Sequence, residues 1–270
     1  MNVMSIAFAL LSGAVAGAIA FMIAGNPKED RNKFGISFVI TFGVIFMLSK
    51  VFFLPKASAW YEVKQAETEL EKHAAFSAVK KYDQKVYYAM IEDIRQVVLK
   101  GDSREKALLA ARAHMQELIL RRLPTASNES VADYMDVTMA ELDVLEKKGG
   151  DYCFRFLFPQ NGAPLDISKM LSQRMQTQDL EALAKVIESS ATDPQPLPDA
   201  EEIEPKLQPI YAHLMEEYGE EVQLLADPAA VKAEADKRKV CAIVGSMYDR
   251  ILALPAQESG KMLRFMLKST

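Results

Sequence analysis

Cysteine occurs twice in 270 residues, tryptophan once and histidine three times. So few ligand-type side chains exclude a dense disulfide scaffold and a cysteine- or histidine-rich metal module. Positive charge is also short, with 32 Lys and Arg against 37 Asp and Glu and a net charge of −5. That sign argues against nucleic acid as a partner, because phosphate binding needs a basic surface. The signatures of nucleotide and hydrolase chemistry are missing too. There is no G-x-x-x-x-G-K-[ST], no G-x-G-x-x-G, no G-x-S-x-G and no H-E-x-x-H. Neither a cofactor nor a metal is expected, and the chain reads as a non-enzyme.

The most informative absence is local. No charged side chain occurs from Val3 to Ala24, and only Lys50 from Phe34 to Leu54. At about 1.5 Å per residue each run reaches roughly 30 Å as a helix, the thickness of a bilayer core. Backbone in lipid has to pair internally, so each run is predicted to be a helix. Residues 1–56 therefore read as a two-helix transmembrane hairpin, with spans at about 3–24 and 34–54. A secretory signal is the alternative for the first run. "AGAIA" resembles a cleavage site, although "MNVMSIAFALL" lacks the basic residues such signals carry.

The turn "GNPKEDRNK" sets the orientation. It concentrates Lys28, Arg31 and Lys33, while Lys50, Lys56 and Lys64 are spread along the other side. Positive charge marks the cytoplasm, so the turn is predicted there and the large domain in the periplasm of a bacterial inner membrane. Trp60 and Tyr61 suit the headgroup layer as interface anchors, or Trp60 covers the soluble core. Ala9, Gly13 and Gly17 form a small-residue face on the first span, and the second offers Gly35 and Gly43. Such faces let helices approach closely, either within the hairpin or against a second membrane protein. Expected partners are membrane lipid and other membrane proteins or further copies of the chain.

Residues 57–270 read as one multi-helix soluble bundle, giving an all-α fold with at most one short extended segment near 152–158. No Gly or Pro interrupts Ala57–Lys100. Val79, Tyr82, Val86, Met90, Ile94 and Val97 recur at steps of three and four, predicting a single helix with one buried stripe. Gly101 ends it, and Asp102 with Glu105 resembles a capping box. A helix follows up to Pro124, and another from Ser127 or Asn128 to Gly149–Gly150. In "DYCFRFLF", Tyr152, Phe154, Phe156 and Phe158 alternate with other residues. That pattern predicts an extended stretch or a short core-filling helix, and the four aromatics are candidate pocket residues. A helix over about 167–190, with a possible break at Thr177, precedes the Pro-rich connector 192–200, a possible subdomain boundary. Asp199 caps the next helix, Asp227-Pro228 starts one running to Leu254, and Gly245 reads as a close helix crossing. A short helix over about 257–268 closes the chain.

Asp193–Glu221 holds nine acidic residues against Lys206 alone, while Pro228–Thr270 holds eight basic and four acidic. The two stretches pack on each other, or the acidic one docks a basic partner. His114-x-x-Glu117 and His213-x-x-Glu216 have helical i,i+3 spacing, but they lack the further facing carboxylates a di-metal site needs. Cys153 and Cys241 sit in apolar contexts and pair as a disulfide in an oxidising compartment, or stay as buried thiols. The expected function is a membrane-anchored scaffold, adaptor or assembly component. A tethered ligand sensor and a tethered enzyme are the alternatives.

Overall fold

The computed structural model describes residues 54–270, apart from 103, 163–164 and 269–270. The predicted hairpin, with Ala9, Gly13, Gly17, Gly35 and Gly43, lies outside the described residues. None of the described helices is long and apolar enough to cross a membrane.

Ten α-helices and short 3₁₀ turns make up the described chain, with no strand among the described residues. They are α1 (Leu54–Leu70), α2 (Ala74–Tyr82), α3 (Gln84–Leu99), α4 (Arg104–Arg122), α5 (Asn128–Lys148), α6 (Gly150–Leu157), α7 (Gln173–Thr192), α8 (Ala200–Tyr218), α9 (Glu234–Leu252) and α10 (Ala256–Lys268). They divide into two compact units. Of the described residues, one holds those up to Thr68 together with Ile91–Ala111, and the other holds Glu69–Met90 and those from Arg112 onward.

In the smaller unit, Trp60 and Tyr61 are both exposed, at 64% and 48%. Tyr61 Oη accepts a hydrogen bond from Gln65. Gly101 ends α3 as expected, at φ +71°. Its N–H bonds to Val98 O and that of Asp102 to Val97 O, the paired closure that a left-handed residue after a helix allows.

The predicted single helix over 57–100 is three helices. Neither break uses Gly or Pro; side chains from elsewhere hold both. At the first, Glu71 Oε1 accepts from Lys80 and from the buried Tyr87 hydroxyl, and its carbonyl accepts from Ser77 Oγ. At the second, Asp83 leaves helical geometry (φ −134°, ψ 54°). Arg122 donates two bonds to its carboxylate, at 3.1 and 2.7 Å. Asp83 N still bonds Val79 O, and Asp83 O accepts from Tyr87 N, so the backbone N–H and C=O of the break residue itself stay paired. The break resets the helical phase, so Tyr87, Met90 and Ile94 are buried while Val86 and Val97 are only half-buried.

The larger unit wraps α5, α6, α7, α9 and α10 around one core that includes Leu123, Met135, Met139, Phe154, Val186, Ile203 and Leu263. Ser127 caps α5, accepting from Ser130 N, and Ser172 caps α7, which runs through Thr177 without a break. α10 crosses the start of α5 at Gly260, where a Cβ would lie 1.9 Å from Asn128 O. Gly245, expected to make such a crossing, has no atom within 4 Å of an added Cβ. The buried Arg264 on α10 donates to Pro124 O, Asn128 Oδ1 and Pro196 O. One guanidinium thus ties the exit of α4, the start of α5 and the Pro-rich connector. That connector runs inside the larger unit, with Gln195 N also bonded to Thr125 O. Asp227-Pro228 starts only a 3₁₀ turn (Pro228–Ala230), and α9 begins later, at Glu234.

Of the two alternatives for the aromatic stretch, the short helix is the one formed, α6. Gly149, at φ +149°, ends α5 and lets the chain restart at once. Gly150 N then bonds Glu234 Oε1 at 2.7 Å. The buried residues Gly150, Cys153 and Phe154 follow helical i, i+3, i+4 spacing. The aromatic alternation came from a helix with rings on two faces. Cys153 and Cys241 are joined as a disulfide with Cα atoms 6.2 Å apart, locking α6 to α9. Gly150 allows that approach, since a Cβ there would meet Arg238 Cγ at 2.5 Å.

Candidate docking cleft

α8 carries the acidic run and is capped by Asp199, which accepts from Glu201 N. Pro205 and Pro209 both lie inside the helix, past its first turn. Each removes one donor from the ladder. The acidic and basic stretches do pack against each other, and they do so at the two ends of α8. Near its start, Glu202 pairs with Lys261 at 2.5 Å and Lys206 with Glu258 at 2.7 Å. Near its end, Glu217 accepts from Ser246 and Arg250, and Tyr218 Oη donates to Ala242 O. Just past it, Glu221 meets Lys239 at 2.7 Å. Hydrogen bonding from Arg250 and then Ser246 holds the Glu217 carboxyl below its ordinary range. Pairing with Glu258 raises Lys206.

Between these clamps the helix stands over an apolar gap. The cleft there measures about 520 Å³ and is lined by Leu207, Ile210, Tyr211 and Leu214 of α8, Met247 of α9 and Met266 of α10, with Glu204 and Gln208 at its edge. Leu214 is fully buried, while Tyr211 and Met215 stand 58% and 41% exposed. Large apolar side chains at that exposure, in one line along a helix, are the kind of patch that marks contact sites. Methionine and tyrosine suit such a surface, the first because it adapts its shape and the second because it buries a ring and keeps a polar tip.

The candidate pocket aromatics do not line this cleft. Phe154 is buried and stacks on Phe158 at 5.1 Å between centroids. Tyr152 and Phe156 are half-buried. Lys237 Nζ sits over the Phe154 ring at 5.7 Å while pairing with Asp151 at 2.5 Å. That bond, with one from Arg155, holds the Asp151 carboxyl below its usual value.

Two arrangements bear on chemistry. Ser127, Ser130 and Ser189 bond one another by their hydroxyls at 2.8–2.9 Å beside a second cleft of about 360 Å³. Their oxygens are taken up in capping α5, and Lys185 beside them pairs with Asp133. A nucleophile needs an adjacent free base, and this cluster shows none. At the α5–α7 contact, Glu141 is 4% exposed. Burial, followed by the charge of Asp179, pushes its carboxyl up to about 8. Burial raises Asp179 to about 6, and burial with these two charges raises the Tyr134 hydroxyl. No group of three or more His, Cys, Asp or Glu capable of holding a metal occurs among the described residues. His213 and Glu216 pair only with each other, at 3.6 Å.

The sequence did contain a signal for the cleft. "IEPKLQPIYAHLMEEY" carries Ile203, Leu207, Ile210, Tyr211, Leu214 and Met215 at helical spacing, a stripe too wide for one neighbour to cover, but its acidic charge drew the reading instead. Comparison of the chain with protein-family models, with characterised proteins and with solved structures finds no match.

Proposed function

We propose that the chain is a membrane-anchored helical adaptor, with a hairpin at residues 1–56 holding a docking domain on the non-cytoplasmic face. The observation that carries this reading is the apolar cleft of α8, propped open between two sets of ion pairs and edged by the exposed Tyr211, with the exposed Met215 one turn further along the same helix. A gap clamped at both ends keeps its shape without an occupant, and a preformed surface binds with less ordering cost. Two further features support the anchored, non-cytoplasmic placement. Trp60 and Tyr61 are exposed shortly after the second apolar run, as interface anchors need to be. The Cys153–Cys241 bridge belongs to an oxidising compartment.

The test is affinity isolation of the tagged full chain from solubilised membranes, comparing wild type with Tyr211→Glu. A charge at the cleft edge leaves the core untouched. The expected result is stoichiometric loss of a co-isolated protein from the variant at unchanged expression. Identical partner profiles for the two proteins would remove the cleft from the function.

A further inference from the structure

The unpaired charge around the cleft defines its occupant. Glu202, Glu217 and Glu221 are spent in the clamps. Glu201, Glu204 and Glu220 are exposed on the same helix and its continuation, and Glu204 borders the cleft itself. The two lysines beside the start of α8 are committed, Lys206 to Glu258 and Lys261 to Glu202. The result is an apolar floor with Glu204 on its rim and further free acidic charge along the same helix. On that floor Leu207, Ile210, Tyr211 and Leu214 recur at steps of three and four over roughly 10 Å of helix. Such a ridge matches the i, i+3, i+4, i+7 anchors of a second helix laid alongside.

Resting on the adaptor reading above, we infer that the cleft takes an amphipathic helix from a partner protein, apolar on one face and flanked by Lys or Arg. A negative rim repels anionic lipid headgroups and phosphate backbones, so neither fits. A second copy of this chain fits poorly as well. A two-fold contact sets each patch against itself, which would bring Glu204 and its neighbours towards their own copies.

The test uses the full chain in zwitterionic nanodiscs, with empty nanodiscs as the control. The probes are two fluorescein-labelled helical peptides of about five turns. Both carry the same leucine stripe; one has lysines on its flanks and the other glutamates. Fluorescence anisotropy should show the lysine peptide binding at least about tenfold tighter at low salt, with the gap closing at high salt. Tyr211→Asp should weaken the lysine peptide by about tenfold or more. Glu201→Lys with Glu204→Lys should weaken it by about fivefold and flatten its salt dependence. Equal binding of both peptides, or no effect of Tyr211→Asp, would overturn the inference. A photo-cross-linker at Tyr211 in intact membranes separates it from the adaptor reading. Cross-linking to a partner segment that is not a basic helix refutes the helix and keeps the adaptor. Cross-linking to lipid alone refutes both.

Discussion

The buried carboxyl of Glu141 makes the sharpest prediction about stability. Its ordinary value is 4.5 and the folded chain holds it at about 8, so the folded state keeps a proton that the unfolded state releases. Between those limits the unfolded state binds fewer protons, and stability falls as pH rises. The stabilising proton is fully in place below about pH 4.5, and its benefit is gone above about pH 8. At 1.36 kcal/mol per pH decade the ceiling over that window is about 5 kcal/mol. Water reaching the carboxyl and relaxation of α5 against α7 lower this to an expected 2–3 kcal/mol, or about 4–10 °C in melting temperature for a domain of this size. Glu141→Gln keeps the shape of the neutral acid and cannot ionise. Melting followed by circular dichroism from pH 5 to pH 8 should show the two proteins together at pH 5 and the variant more stable at pH 8. Asp179→Asn should act in the same direction, because it removes the charge that adds to the Glu141 shift as well as its own. Parallel melting curves across this range would show that Glu141 is solvated in the fold and would refute the reasoning.

Other substitutions test the packing. Gly260→Ala drives a methyl into the Asn128 carbonyl and should destabilise the larger unit by about 3 kcal/mol or more, read by chemical denaturation. Arg264→Lys cannot reach Pro124 O, Asn128 Oδ1 and Pro196 O together. It should lower stability by about 2–4 kcal/mol and speed amide exchange at the connector, at Gln195 first. Cys153→Ser opens a loop spanning 88 positions, for which the chain-entropy relation gives about 4–5 kcal/mol. The variant should lose the mobility difference between reduced and non-reduced gels that the wild-type chain shows.

Much of the helical framework was legible because its signals are local. Ser127, Asp199, Gly101 and Gly149 act within one turn of themselves, and the sequence alone placed the helix ends they make. The misread features depend on distant partners. Asp83 breaks a helix because Arg122 arrives from the end of α4, and Glu71 does so because Lys80 and Tyr87 converge on it. The partner of Asp83 is 39 positions away and those of Glu71 sit on the two helices that follow, so the immediate neighbours announce neither break. α6 could be read only as one of two alternatives, because a helix with rings on both faces and a strand share two-residue alternation over so short a run. The crossing at Gly260 depends on where α10 meets α5, which leaves no trace around Gly260 itself. The cleft was half-visible. The apolar stripe of α8 and the complementary charges could each be read, but only the fold shows the ion pairs gathered at the ends of the helix and the middle left bare.

The account stands or falls on whether the docking domain is carried by residues 1–56. Alkaline carbonate extraction of membranes from cells expressing the full chain, followed by blotting of pellet and supernatant, tests this directly. The account predicts the full chain in the pellet, and residues 57–270 expressed alone in the supernatant. Release of the full chain into the supernatant would contradict it.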